Sequence, residues 1–109
     1  MKKIDIIKSS EEYTEIINKG KCVKDSNLVI YYQPNELNKA RFGISVGTKV
    51  GKAHIRNKFK RQLRNIVDNY KFSYSNSKDY IIIVRKNCLN KTFEDLTKSY
   101  EALFKKINS

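Results

Sequence analysis

The sequence predicts a small α+β fold, a two-layer α/β sandwich in which helices cover a sheet. Three observations point there. Residues 28–32, 41–46 and 80–84 carry the continuous or alternating apolar patterns of strands. Residues 52–70 carry apolar side chains at helical spacing. This long helix lies between two strands, and a strand–helix–strand succession suits a parallel pair joined by a crossover. The elements read α-β-β-α-β-α, with room for an extra short strand near Cys22.

The first helix opens on Ser9 and Glu12, an S-x-x-E capping box. It carries Tyr13, Ile16 and Ile17 on one face, and Gly20 suits its end. Residues 28–32 are an unbroken β-branched and aromatic run, hence a strand. Residues 33–39, with Pro34 and two Asn, read as a turn. In the next strand Phe42, Ile44 and Val46 point one way, and Arg41, Gly43 and Ser45 the other. Gly47 and Gly51 bracket a loop before the long helix, whose stripe is Ile55, Phe59, Leu63, Ile66 and Tyr70. The polar residues 73–78 break that pattern. Residues 80–84 are five apolar residues in a row, as expected of a central strand covered on both faces. Thr92 caps a last helix with Phe93, Leu96, Tyr100, Leu103 and Ile107 facing inward.

A chain of 109 residues, 39% of them hydrophobic, suits one domain over 1–109 with one core. Cys22 and Cys88 belong to no CxxC pair, and His54 is the sole histidine, so no zinc site is expected. A single disulfide is one reading of the two cysteines; two buried thiols in a reducing cytosol is the favoured one. Lys2 and Lys3 precede Ile4, Ile6 and Ile7, but Asp5 interrupts the run, which is too short for a signal peptide or a membrane span. A cytoplasmic chain is expected.

Lys and Arg total 23 against 11 acids, a net charge of +12. Solubility needs no such excess and self-repulsion opposes it, so a polyanionic partner is the natural reading. A Lys-rich proteome would also raise the count, but the placement of the charges argues against drift. Residues 37–67 contain no acid and hold nine of the 23 cations: Lys39, Arg41, Lys49, Lys52, Arg56, Lys58, Lys60, Arg61 and Arg64. Mixed charges would support a helix through i,i+4 pairs, and this helix forgoes them. His54, Asn57, Arg61 and Arg64 lie opposite the apolar stripe, with Lys58 and Lys60 flanking. Only five Arg occur, and three fall at 56, 61 and 64, where a planar donor fork grips phosphate and stacks on bases. The start of the helix, beside Gly51, offers free backbone N–H groups to a phosphate.

The run ISVGTKVGKAHIRNKFKRQLR at 44–64 resembles the signature of the bacterial ribonuclease P protein family. That signature is a strand, a basic Gly-containing loop and a helix bearing Arg-Asn-x-x-Lys-Arg-x-x-Arg, here Arg56, Asn57, Lys60, Arg61 and Arg64. EEYTEIINKG at 11–20, DYIIIVRK at 79–86 and TFEDLTKSYEALF at 92–104 resemble its first helix, final strand and last helix. The pattern is departed from at four places: Lys58 replaces an Arg, His54 a small aliphatic, the run Gly47-Thr48-Lys49 a Ser-Lys-Lys type run, and Ile17 an aromatic.

The resemblance implies a fold like ribosomal protein S5 domain 2 with a left-handed crossover, where spacing alone favours the right-handed form. It implies an RNA-binding subunit with no active site of its own. The catalytic centre then belongs to a large RNA that uses Mg²⁺ to cut precursor tRNA at the mature 5′ end; the protein itself holds no cofactor or metal. Lys49, Lys52, His54, Arg56, Asn57, Lys58, Lys60, Arg61 and Arg64 are the implied contacts to the catalytic RNA. Tyr13, Ile17, Val29 and Tyr31 are the implied cleft for the single-stranded 5′ leader of precursor tRNA. No membrane and no obligate protein partner is implied. Stacking and backbone charge suit a leader of varied sequence. An ordinary place in the core is the competing reading of Tyr13 and Ile17. It stays open for Ile17, while the hydroxyls of Tyr13 and Tyr31 favour partly exposed sites.

Two other functions compete. A stand-alone nuclease is disfavoured by dispersed acids and by the lack of a carboxylate partner for His54. A ribosomal or other structural RNA-binding protein shares the charge, but the ordered pattern from Arg56 to Arg64 speaks against it.

Overall fold

Five strands and three helices make up most of what the computed structural model describes, which is residues 5–7, 9–36, 40–69 and 78–108. They are β1 (Asp5–Ile6), α1 (Ser10–Lys19), β2 (Lys21–Lys24), β3 (Leu28–Pro34), β4 (Arg41–Val46), α2 (Ala53–Asp68), β5 (Lys78–Val84) and α3 (Phe93–Asn108). Single 3-10 turns at Thr48–Val50 and Lys86–Asn90 lead into α2 and α3. The expected end of the long helix at Tyr70, the break over 73–77 and the far end of the turn at Lys39 lie outside the described residues.

The sheet runs β1-β4-β5-β3-β2. β4 and β5 are parallel neighbours with α2 between them in the chain, as expected. β3 pairs antiparallel with both β5 and β2, and β1 adds a short parallel edge to β4. β5 takes the centre because its side chains are apolar in both directions. Tyr80, Ile82 and Val84 enter the larger core with Leu28, Ile30, Phe42 and Val46, under Phe59, Leu63, Ile66 and Val67 of α2 and Leu96, Tyr100, Leu103, Phe104 and Ile107 of α3. Phe42 stacks on Tyr80 at 5.2 Å between ring centroids, and Phe104 packs against Tyr80 and Tyr100 at 5.1 and 4.5 Å. On the opposite sheet face Ile81 meets Ile7 and Ile16 of the α1 side in a second, smaller cluster.

Local chemistry sets the helix ends. Ser9 Oγ accepts from the Glu12 N–H at 3.4 Å, one arm of the capping box. At α3 the box is reciprocal: Thr92 Oγ1 accepts from the Asp95 N–H and Asp95 Oδ2 from the Thr92 N–H, both at 3.1 Å. Those bonds hold the Asp95 carboxyl below its ordinary pKa. Gly20 ends α1 with φ −75°, not in the left-handed region where a terminal glycine is usual. Close approach is the reason glycine is there: a Cβ would sit 2.5 Å from the Ile16 carbonyl oxygen and 2.8 Å from that of Tyr32.

The structure corrects several expectations. β3 continues through Gln33 and Pro34, opposite Asp79 and Lys78, where a turn was expected. Proline is tolerated there because it is the last residue of the strand. β2 is the extra strand near Cys22, and Cys22 is exposed on that sheet edge; only Cys88 is the buried thiol, and both are free. Phe93 is 41% exposed rather than inward. It is in phase with the α3 stripe, but as the first helical residue it precedes the turn at which burial begins, and Phe104 fills the aromatic place instead. Ile17 is 37% exposed, while Ile16 beside it is 1% exposed and alone fills the α1 core position.

Candidate nucleic-acid interface

Two surfaces on different sides of the sheet hold the residues singled out by the sequence. The first is α2 and its approach. Lys49 is exposed in the 3-10 turn, and Lys52 is the exposed N-cap residue of α2, with no side-chain acceptor on the first-turn N–H groups. His54, Asn57, Lys58, Arg61 and Arg64 are exposed, whereas Arg56 and Lys60 are half-buried. The buried stripe of Phe59, Leu63, Ile66 and Val67 pins the helix to the sheet, so the cations ride on a fixed frame. Arg56 buries its Nε without a hydrogen-bond partner. Among the described residues no three His, Cys, Asp or Glu side chains converge as a metal-holding group.

The second surface is the sheet face that α1 crosses. Pairing places Tyr31 beside Ile81 and Val29 beside Ile83, so both point to the α1 side. Tyr13 and Tyr31 flank the small cluster of Ile7, Ile16 and Ile81, each half-buried. Val29 is likewise half-buried. Ile17 stands exposed one helical turn past Tyr13. The four residues expected to form a cleft are therefore split in character: Tyr13, Tyr31 and Val29 are half-buried, and Ile17 is exposed.

Tyr13 is seated with care. Its ring lies over Gly43, where any Cβ would collide with the phenol. Burial keeps the phenol above its ordinary pKa, with the nearby Ile44 backbone pulling the other way. The hydroxyl therefore stays protonated at neutral pH.

A group missed by the sequence reading holds α1 in place. Arg41 donates from Nε and Nη2 to Asp79 at 2.9 and 2.7 Å and from Nη2 to Glu12 at 2.6 Å. Asn35 adds a 2.7 Å bond to Asp79. Bonding to Asp79, then to Glu12, raises the Arg41 pKa further above neutrality. Glu12 thus turns its carboxylate toward Arg41 on β4. Two signals were available in the sequence: Arg41 alternates onto the Gly43 face, and Asp79 is a lone acid heading an apolar strand that must bury it.

A family model described as Ribonuclease P matches residues 1–108. The ribonuclease P protein component of Mycoplasma mycoides is 44% identical over 108 residues, covering 98% of this chain and 99% of the relative. That of Bacillus cereus is 37% identical, covering 97% and 93%. Among solved structures, the RNase P protein of Staphylococcus aureus superposes with a TM-score of 0.86 at 34% identity over 94% of each chain. That of Thermotoga maritima gives 0.84 at 26% identity, covering 94% and 96%.

Proposed function

The chain belongs to the family of ribonuclease P protein components, and from that membership we propose that it binds two RNAs at once during tRNA 5′ processing. The face of α2, with Lys49 and Lys52 before it, grips the phosphates of the catalytic RNA. The cleft of Tyr13, Val29 and Tyr31, with Ile17 at its rim, holds the 5′ leader of precursor tRNA. Cleavage is the work of the RNA and its Mg²⁺, and no chemical step passes through side chains of this chain. The protein works in the bacterial cytoplasm with RNA partners alone, independent of membranes and of any obligate protein partner.

One observation carries the reading: two half-buried tyrosines flank one apolar cluster on a sheet face away from the main core, where a core role would bury them. Aromatic faces accept any base, with stacking worth about 1–3 kcal/mol per base. Tyr31→Ala should weaken precursor tRNA binding to the reconstituted holoenzyme by roughly 5- to 150-fold, the range those energies imply. Affinity for mature tRNA, which has no leader, should hardly change. Tyr13→Ala should follow, and Ile17→Ala should do less because no aromatic face is lost. An equal loss for both tRNAs would remove the leader from this cleft.

A further inference from the structure

The two surfaces meet at one place. Among the described residues β1 pairs with β4 at Asp5 and Ile6, and beside that edge Lys60 and Arg64 of α2 line the same small cavity as Tyr13 of α1, with Ile6, Phe42 and Ile44 as its apolar wall. The cavity is about 110 Å³, room for roughly three or four waters, which suits a phosphate group and is too small for a nucleoside. Among the described residues no carboxylate lines it, and no ion pair engages Lys60 or Arg64.

The Tyr13 hydroxyl lies against Gly43 of β4, and among the described residues no hydrogen bond engages it, so its proton is left to donate. An ammonium, a guanidinium and a phenol hydroxyl then line one cavity. All three are donors, two are cations, and the acceptor that satisfies them is a phosphodiester. We infer that the cavity between Tyr13, Lys60 and Arg64 seats one RNA phosphodiester, so that a single strand passes from the sheet face round the edge of β4 onto α2. The inference rests on the proposed two-RNA function, and it concerns the Tyr13 hydroxyl, which base stacking does not use. Two strands can supply the phosphate, the precursor leader or the catalytic RNA, and we expect the leader because Tyr13 faces its cleft.

The test is a double-mutant cycle between Tyr13→Phe and Arg64→Gln, read in two affinities: precursor against mature tRNA for the holoenzyme, and catalytic RNA for the protein alone. Tyr13→Phe keeps the ring and removes only the donor, and thermal unfolding checks that each variant is folded. Each single change should cost about tenfold, the scale of a hydrogen bond to a charged group. The double variant should lose well under the hundredfold that independent effects multiply to, because both donors serve one phosphate. Arg61→Gln, exposed on the same helix and outside the cavity, should multiply with Tyr13→Phe. Coupling in the precursor-to-mature ratio assigns the phosphate to the leader. Coupling in catalytic-RNA affinity keeps the site and assigns it to the other strand. Multiplying effects in both affinities overturn the inference. If Tyr31→Ala spares the precursor-to-mature ratio while the cycle couples for catalytic RNA, the leader cleft fails and the phosphate site stands. As an independent reading, a neutral methylphosphonate scanned along the leader should weaken native binding at one position and have no effect there in Arg64→Gln. A scan identical in the two proteins rejects the leader as the source.

Discussion

Arg41 joins three elements through one guanidinium, and its two partners differ sharply in exposure. The Asp79 side chain is 3% exposed and that of Glu12 is 40% exposed. Removing the cation strands a buried carboxylate that keeps a side-chain bond from Asn35, a loss of the kind that costs about 3–5 kcal/mol. Removing the Glu12 charge breaks a half-solvated pair worth about 1 kcal/mol or less. Arg41→Met should therefore destabilise the fold several times more than Glu12→Gln in urea unfolding; equal losses would mean that the Asp79 pair is not the anchor. The two thiols form a second contrast. Burial pushes the Cys88 thiol up to about 11, and its Sγ donates to the Asn27 carbonyl at 2.9 Å, while Cys22 is exposed. The thiolate is the reactive form. Iodoacetamide at pH 8 should label Cys22 in the native protein and reach Cys88 only on unfolding, as read by peptide mass spectrometry.

At the scale of the element, α2 separates stability from binding by face. Its buried residues hold the helix on β4, and its exposed cations contribute little to folding. Arg61→Ala should change stability by no more than about 0.5 kcal/mol and still weaken binding to the catalytic RNA. Arg56→Ala should also weaken binding, and it should cost more stability than Arg61→Ala because its Nε is buried. Both effects on binding should shrink as salt rises, since each lost phosphate contact lowers the salt dependence. Normal RNA affinity for both variants at physiological salt would remove α2 from the interface. α1 is the less self-sufficient helix. Its single buried residue is Ile16, and Arg41 and Gly43 on β4 position its Glu12 and Tyr13. Ordering of the cleft is thus a property of the α1–β4 contact more than of the helix itself.

For the whole molecule, the sheet separates two working faces from one core. The larger core lies under α2 and α3, and the smaller cluster under α1 leaves part of the opposite face open. An acid-free run of residues from 37 to 67 supplies cations to one face and, through Lys60 and Arg64, to the β4 edge between the faces. In the proposed function such a body holds RNA in two places and leaves the chemistry to the catalytic RNA. The isolated protein, freed of nucleic acid, should not cleave precursor tRNA in Mg²⁺, and adding the catalytic RNA should restore cleavage at the mature 5′ end. Site-specific cleavage by the nuclease-treated protein alone would put the catalytic centre in this chain.

Several features were legible without coordinates because each is a repeat along one element. The α2 stripe, the run of β5, the alternation of β4 and the Thr92 cap all follow from helical or strand periodicity and from local hydrogen bonding. The cationic face of α2 was legible for the same reason, since a charge opposite an apolar stripe must face solvent. Tertiary structure alone decided what each outward side chain meets. Phe93 and Phe104 are both aromatic residues of α3, and only the placement of the sheet beneath the helix buries the second and leaves the first exposed. Arg41 binds carboxylates 29 and 38 positions away in the chain. Tyr13 of α1 lies over Gly43, on a strand distant from it in the chain. Lys60 and Arg64 share a helix face with the other cations by spacing, yet the β4 edge brings them beside α1. Periodicity specifies the direction of a side chain on its own element, and the packing of distant elements supplies the partner that gives the direction its use.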